Sequence, residues 1–142
     1  MKKTLLTFAL IICAVLTGTA QDVVGKWKTI DDETGKPKST VEIYKQNGKI
    51  YGKVIEIVDP TKRDATCVDC PGDAKGKPII GLVILKDLEK DGDEYSGGTI
   101  LDPNNGKVYK CLIALESPNK LKVRGYIGFS LMGRSQYWER VK

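Results

Sequence analysis

Histidine is absent from this chain of 142 residues, and its absence removes several kinds of chemistry. Without an imidazole, the chain cannot build a Ser-His-Asp or Cys-His catalytic arrangement, nor a zinc site that needs histidine ligands. Ser130 and Ser135 lack a base that could activate them as nucleophiles. The sequence therefore predicts a protein that is not an enzyme, and nothing in it indicates a cofactor or a bound metal.

Long apolar runs are scarce as well. The one run near the start of the chain spans residues 5–16; Lys2 and Lys3 precede it, and the small residues Gly18, Thr19 and Ala20 follow it. This order is typical of a secretory signal peptide. The run is shorter than the about 20 residues that a membrane-spanning helix needs, which disfavours the alternative of a retained anchor. We predict a signal peptide over residues 1–20, export to the periplasm or beyond, and a mature chain of residues 21–142.

The mature chain has a small charge and room for one domain. Removal of Lys2 and Lys3 lowers the formal net charge from +5 to +3. The basic residues are scattered and are not interleaved with aromatic residues, so nucleic acid is not expected as a partner. A chain of this length can bury one hydrophobic core. We predict a single domain without a transmembrane segment.

Segments of alternating polarity fill the mature chain, and Gly, Asn, Asp and Pro separate them. Asn47-Gly48 between two such segments is a strong hairpin signal, because both turn residues need positive φ. Eight strands are predicted over residues 25–31, 39–46, 49–59, 78–85, 94–101, 107–116, 120–131 and 135–141. Closing them into an up-and-down antiparallel β-barrel removes exposed edges. A β-sandwich is the main alternative.

Trp27 and Arg140 lie on the first and last predicted strands, which are neighbours in a closed barrel. A guanidinium group can stack on an indole ring, and Gly25 permits a close approach of the backbone. We predict that these three residues plug one end of the barrel. The alternative is that Trp27 contacts a ligand.

Three cysteines remain in the mature chain, since Cys13 falls inside the predicted signal peptide. Cys67 and Cys70 lie in a loop, and nearby cysteines usually pair in exported proteins, so a structural disulfide is favoured over a redox pair or half of a metal site. Cys111 alternates with apolar residues and is predicted to be a buried free thiol.

Candidate ligand contacts lie on the last two strands. Arg124 and Tyr126 share one face of their strand, and Gln136 and Trp138 share one face of the next. If both faces point inward, they offer a cation, a hydroxyl, an amide and an indole to a ligand. In the alternative, residues 123, 125, 127 and 129 face inward. The candidate set is completed by Trp27, Tyr44 and Tyr109.

Four stretches of the sequence resemble a bacterial family known as domain of unknown function 2147. They are Gly-Lys-Trp-Lys-Thr from residue 25, Gly-Gly-Thr-Ile-Leu-Asp-Pro from residue 97, Leu-Lys-Val-Arg-Gly-Tyr-Ile-Gly from residue 121, and Gly-Arg-Ser-Gln-Tyr-Trp-Glu-Arg-Val from residue 133. The resemblance implies an exported, lipocalin-like barrel of no established activity. Many family members carry cysteines near the positions of Tyr126 and Met132. This chain does not, so its disulfide arrangement need not be theirs.

We therefore expect a lipocalin-like barrel that binds a small apolar or amphipathic molecule. An eight-stranded barrel is wide enough for one such ligand, or it can be filled by its own side chains. Two alternatives stay open at this point. One is a thiol-active protein that uses Cys67 and Cys70, and the other is an interaction module of the cell envelope with a filled barrel.

Overall fold

Eight antiparallel strands close into a barrel in the order in which the chain runs. The computed structural model describes residues 22–142, so the predicted signal peptide and Cys13 lie outside the described residues. The strands are β1 (Gly25–Ile30), β2 (Pro37–Gln46), β3 (Lys49–Ile57), β4 (Val83–Asp91), β5 (Glu94–Leu101), β6 (Val108–Ser117), β7 (Lys120–Tyr126) and β8 (Gly133–Arg140). Short 3-10 helices span Pro60–Lys62, Gly72–Ala74 and Ser130–Met132.

Pairing between the first and last strands closes the barrel. Trp27 pairs with Arg140, and Lys28 pairs with Glu139. The predicted turn between β2 and β3 is present, with Asn47 at φ 52° and Gly48 at φ 78°. The predicted all-β, up-and-down barrel is confirmed, and the sandwich is excluded. No helix among residues 22–142 is long and apolar enough to cross a membrane.

The fourth strand differs from its predicted position at residues 78–85, because it begins at Val83 and continues to Asp91. Pro78 instead forms an isolated bridge with Thr66 in the preceding loop. Leu85 and Leu88 are both fully buried, although they are three residues apart. A bulge at Asp87 (φ 60°) turns both side chains inward. Because the two buried residues are three positions apart, the alternation of buried and exposed residues that is expected of a strand does not predict this one.

The seventh strand is shorter than predicted, since it ends at Tyr126 and not near residue 131. Gly128 has a φ of 77°, which breaks the extended conformation, and the 3-10 helix Ser130–Met132 follows it. The β7–β8 connection is thus a loop of residues 127–132 between two strands.

The hairpin order gives the barrel two different ends. The end with the short β2–β3, β4–β5 and β6–β7 turns also holds the start of β1 and the end of β8. We call it the closed end. The other end, which we call the mouth, carries the four longer connections, over residues 31–36, 58–82, 102–107 and 127–132.

The long β3–β4 connection packs outside the barrel near the mouth. Ile84 and Leu101 neighbour inward-facing residues and therefore point outward, yet both are buried. They belong to one hydrophobic cluster with Cys67 and Cys70. A Cβ atom at Gly106 would overlap the carbonyl group of Asp69. The β3–β4 connection therefore also packs against the β5–β6 loop. This packing leaves the connection beside the mouth.

Candidate functional site

Trp27 and Arg140 meet at the closed end. The Trp27 side chain is fully buried, and its Nε1 donates to the carbonyl oxygen of Val23 at 2.8 Å. The guanidinium carbon of Arg140 lies 4.3 Å from the centre of the indole ring. A Cβ at Gly25, whose φ is 143°, would lie 2.8 Å from Arg140 Nη1. A side chain at position 25 would therefore collide with the guanidinium group.

Arg140 also ties the start of the described chain to the end of the barrel. Its Nε donates to the carbonyl oxygen of Pro118 at 2.8 Å. Its Nη1 donates to the carbonyl oxygen of Val24 at 3.2 Å, and Nη2 donates to that of Asp22 at 2.7 Å. The side chain of Asp22 in turn accepts a hydrogen bond from the hydroxyl of Tyr95 at 2.9 Å. One guanidinium group thus joins three chain segments across the closed end.

Large apolar side chains fill the interior above this closure. They share almost complete burial, and they include Trp27, Trp138, Ile43, Ile50, Leu85, Leu88, Ile113 and Leu121. Interiors packed in this way leave no room for a ligand. The closed half of the barrel is therefore a hydrophobic core.

Toward both ends of the barrel, some inward-facing side chains lose this complete burial; at the closed end these are Tyr95 and Leu115. Directly paired residues on neighbouring strands point to the same side of the sheet. Leu85 is fully buried inside the barrel and pairs with Ile100, which in turn pairs with Tyr109, so Ile100 and Tyr109 also face inward. Val123, also buried, places Gln136 inside in the same way. Ile100, Tyr109 and Gln136 are nonetheless only half-buried. These inward-facing side chains are therefore partly accessible to solvent at the mouth.

Two hydroxyl residues complete this inward-facing set. Thr29 follows Trp27 by two positions on β1, so it faces inward, and it pairs with Ser39 on β2. Their hydroxyl oxygens lie 2.6 Å apart, and the Ser39 amide donates to Thr29 Oγ1 at 3.1 Å. Both residues are half-buried. We refer to the half-buried, inward-facing residues Thr29, Ser39, Ile100, Tyr109 and Gln136 as the mouth cluster.

The mouth cluster offers hydrogen bonds but no formal charge. It contains two hydroxyls, a phenol and an amide beside the apolar side chain of Ile100. The Oε1 atom of Gln136 accepts from Trp138 Nε1 at 3.4 Å, which connects the cluster to the core beneath it. Such a site can receive an uncharged polar group attached to an apolar body.

The register separates the four candidate residues of the last two strands. Val123 pairs with Gln136, and Arg124 pairs with Ser135, so Arg124 and Tyr126 lie on the outer face while Gln136 and Trp138 lie inside. The proposed inward group of four therefore does not form. Of the alternative inward positions, Val123 is buried, whereas Ile127 and Phe129 are exposed.

The remaining candidates also divide between the two faces. Tyr44 lies outside, where its ring stacks on that of Tyr51 with centroids 5.8 Å apart. Tyr109 lies inside, in the mouth cluster, and Trp27 lies in the core.

Sequence reasoning missed Thr29, Ser39 and Ile100. The signal for two of them was present, because Thr29 and Ser39 alternate with the apolar residues Trp27 and Val41 on their strands. Ile100 could not be oriented from sequence, since a bulge at Gly97 (φ 79°) shifts the register of its strand.

The cysteines adopt the predicted states. Cys67 and Cys70 form a disulfide, and both are buried. Cys111 is a free, buried thiol. Burial raises the pKa of the Cys111 thiol to about 12, because the thiolate would lose its hydration. None of these sulfur atoms is placed for exchange with solvent thiols.

A shallow groove of about 390 Å³ lies on the outer face of β1, β2 and β3. Its lining includes Lys26, Lys28, Thr40, Ile55 and Val141. Lys26 and Lys28 flank the inward-facing Trp27, so the groove lies outside the barrel and is separate from the mouth cluster.

Comparison with known proteins supports the fold. A solved structure, "Protein HP1028 from the human pathogen Helicobacter pylori belongs to the lipocalin family", is similar to this chain with a TM-score of 0.75 and 27% sequence identity. The similarity covers 85% of this chain and 84% of that one. Among curated proteins, none matches this chain.

A family model described as "Uncharacterized protein conserved in bacteria (DUF2147)" matches residues 25–140. These residues run from the start of β1 to the end of β8. The resemblance seen in the sequence is therefore confirmed, and the chain belongs to the DUF2147 family.

Proposed function

We propose that this protein binds one small amphipathic molecule in the mouth half of its barrel and does not transform it. The observation that supports this proposal is the change in burial along the interior. Side chains that face inward are fully buried in the middle of the barrel, whereas those of the mouth cluster are half-buried and mostly polar. A partly exposed set of polar and apolar side chains above a packed core suits a small-molecule site in a β-barrel.

The chemistry of the mouth cluster suggests the class of ligand. The apolar part of the molecule would lie against Ile100 and the core beneath it. A neutral polar group would bond to Tyr109, Gln136 or the Thr29–Ser39 pair, because an ionised group would be partly desolvated there without a counter-charge. We therefore infer an uncharged amphipathic ligand.

A pair of tryptophan substitutions tests the proposal. Ile100→Trp places a large side chain inside the mouth, and Thr99→Trp places the same side chain on the outer face of the same strand. The probe is N-phenyl-1-naphthylamine, an uncharged molecule whose fluorescence rises in apolar surroundings. We expect saturable binding by the unmodified protein and by Thr99→Trp, and at least tenfold weaker binding by Ile100→Trp. Near-ultraviolet circular dichroism checks that both variants fold.

Two results would contradict the proposal. The first is the absence of saturable binding by the unmodified protein. The second is equal affinity in the two variants, which would place the probe outside the mouth.

We further propose that the protein acts after export from the cytoplasm. The order of residues in segment 1–20 supports export, and so does the Cys67–Cys70 disulfide, since disulfides persist in oxidising compartments. The mass of the protein isolated from the cell envelope or the medium tests this. A mass that still includes residues 1–20 would count against it.

A further inference from the structure

The β7–β8 loop carries a concentration of exposed apolar side chains. Ile127 is 70% exposed, Phe129 79%, Leu131 90% and Met132 76%. Single exposed apolar residues are common on protein surfaces, but large ones gathered in one loop usually mark a binding surface. We refer to these four side chains as the apolar tip.

Hydrogen bonds hold the apolar tip in an outward-facing shape. Arg124 Nε donates to the carbonyl oxygen of Ser130 at 2.7 Å, and its Nη1 donates to Ser135 Oγ at 2.9 Å. The amide of Met132 donates to the carbonyl oxygen of Phe129 at 2.9 Å. Hydrogen bonds of polar atoms therefore hold the loop in place, while its four apolar side chains remain exposed.

Cations without carboxylate partners lie beside the apolar tip. Arg124 lies on the outer face of β7, two residues before that strand ends at the mouth, and Lys110 is paired with Tyr126 at the base of the loop. Within residues 22–142, ion pairs form at Lys49, Lys53 and Arg134 but at neither of these two cations. Two cations without an ion-pair partner therefore lie at the base of the apolar tip.

We propose that the apolar tip docks on an anionic lipid surface. Phe129, Leu131 and Met132 would enter the boundary between headgroups and acyl chains, while Lys110 and Arg124 would lie against anionic headgroups. A second copy of this chain fits less well. It would bring two like-charged patches together, and the roughly 600 Å² of the tip is less than the about 800 Å² per partner of a standard interface. Docking does not depend on a ligand in the barrel, so it extends the proposed function.

Co-sedimentation with lipid vesicles tests the docking. Vesicles of phosphatidylcholine and phosphatidylglycerol (3:1) are compared with pure phosphatidylcholine, using the mature protein. We expect stronger partitioning to the anionic vesicles, weakened by salt. The double variant Phe129→Ser/Leu131→Ser should lose at least tenfold in partitioning, because it removes the apolar contact. Lys110→Gln should weaken the preference for anionic vesicles.

Val24→Ser is the matched control. Val24 is also an exposed apolar residue, 40% exposed, but it lies at the closed end, so its loss should leave partitioning unchanged. All substituted side chains are at the surface, and an unchanged midpoint of urea unfolding shows that the variants are folded.

Three results would overturn the proposal. They are equal partitioning of the unmodified protein to both kinds of vesicle, an equal loss in Val24→Ser, and a dimer in sedimentation that Phe129→Ser/Leu131→Ser dissociates. The last result would make a second copy of this chain the partner. None of these measurements uses the barrel ligand, so their failure is distinct from failure of the mouth site.

Discussion

Replacement of Arg140 by alanine should destabilise the barrel more than replacement of any fully exposed arginine. The Arg140 guanidinium group stacks on Trp27 at 4.3 Å and donates hydrogen bonds to the carbonyl oxygens of three residues. A stacked cation contributes about 0.5–2 kcal/mol, and each hydrogen bond contributes a net of about 0.5–1.5 kcal/mol. Part of the group reaches solvent, so we take values toward the lower end of these ranges. The expected loss is about 3 kcal/mol.

Arg134→Ala is a matched control on the same strand. The Arg134 side chain is 68% exposed, and its ion-pair partner is Asp32. Exposed ion pairs contribute about 0–1 kcal/mol. Urea unfolding, followed by tryptophan fluorescence, gives the free energy of unfolding of each variant. For a domain of this size, a loss of 3 kcal/mol corresponds to a fall in Tm of roughly 10 °C.

A double-mutant cycle identifies the cause of the loss. If stacking matters, Trp27→Phe and Arg140→Ala should show a coupling of about 0.5–2 kcal/mol. Equal costs below about 1 kcal/mol for Arg140→Ala and Arg134→Ala would refute the reasoning. They would mean that closure of the barrel does not depend on this guanidinium group.

Two further predictions concern the interior. The Cys111 thiol ordinarily has a pKa near 9.0, and burial raises its pKa to about 12, so the unfolded chain releases this proton first. The free energy of unfolding should therefore fall as the pH rises from about 9 to about 12, and Cys111→Ala should remove this part of the pH dependence. A Cβ at Gly98 would lie 2.1 Å from the carbonyl oxygen of Lys86, whereas one at Gly125 would meet nothing closer than 3.4 Å. Gly98→Ala should cost more than about 2 kcal/mol in urea unfolding and Gly125→Ala less than about 1 kcal/mol; similar costs would contradict the packing described here.

The sequence predicted the architecture well where local rules decide it. The Asn47-Gly48 turn and the alternation of Val41 and Ile43 define a hairpin without reference to the rest of the chain. Short turns between successive strands then favour a closed barrel. Local rules failed at the bulges near Asp87 and Gly97, because a bulge changes which face of a strand is buried.

The candidate site was harder to predict for the same reason. A shift of one residue in register exchanges the two faces of a strand, so Arg124 and Gln136 could be assigned to one face or to opposite faces until the pairing was known. Tyr109 and Gln136 were identified as candidates because both are polar or aromatic residues on predicted strands. Thr29 and Ser39 were overlooked, because short hydroxyl residues are common on both faces.

The two ends of the barrel differ because charged and aromatic residues lie at different positions along the chain. Trp27, Trp138 and Arg140 all lie near the closed end, where the guanidinium group stacks on the Trp27 indole and bonds to neighbouring carbonyl groups. The inward-facing side chains of the mouth cluster are uncharged and only half-buried. On the binding proposal above, the ligand would enter at the mouth, where the β7–β8 loop lies. The apolar tip and the mouth cluster lie at this same end, so docking of the tip on a lipid surface would bring the opening close to a source of amphipathic molecules.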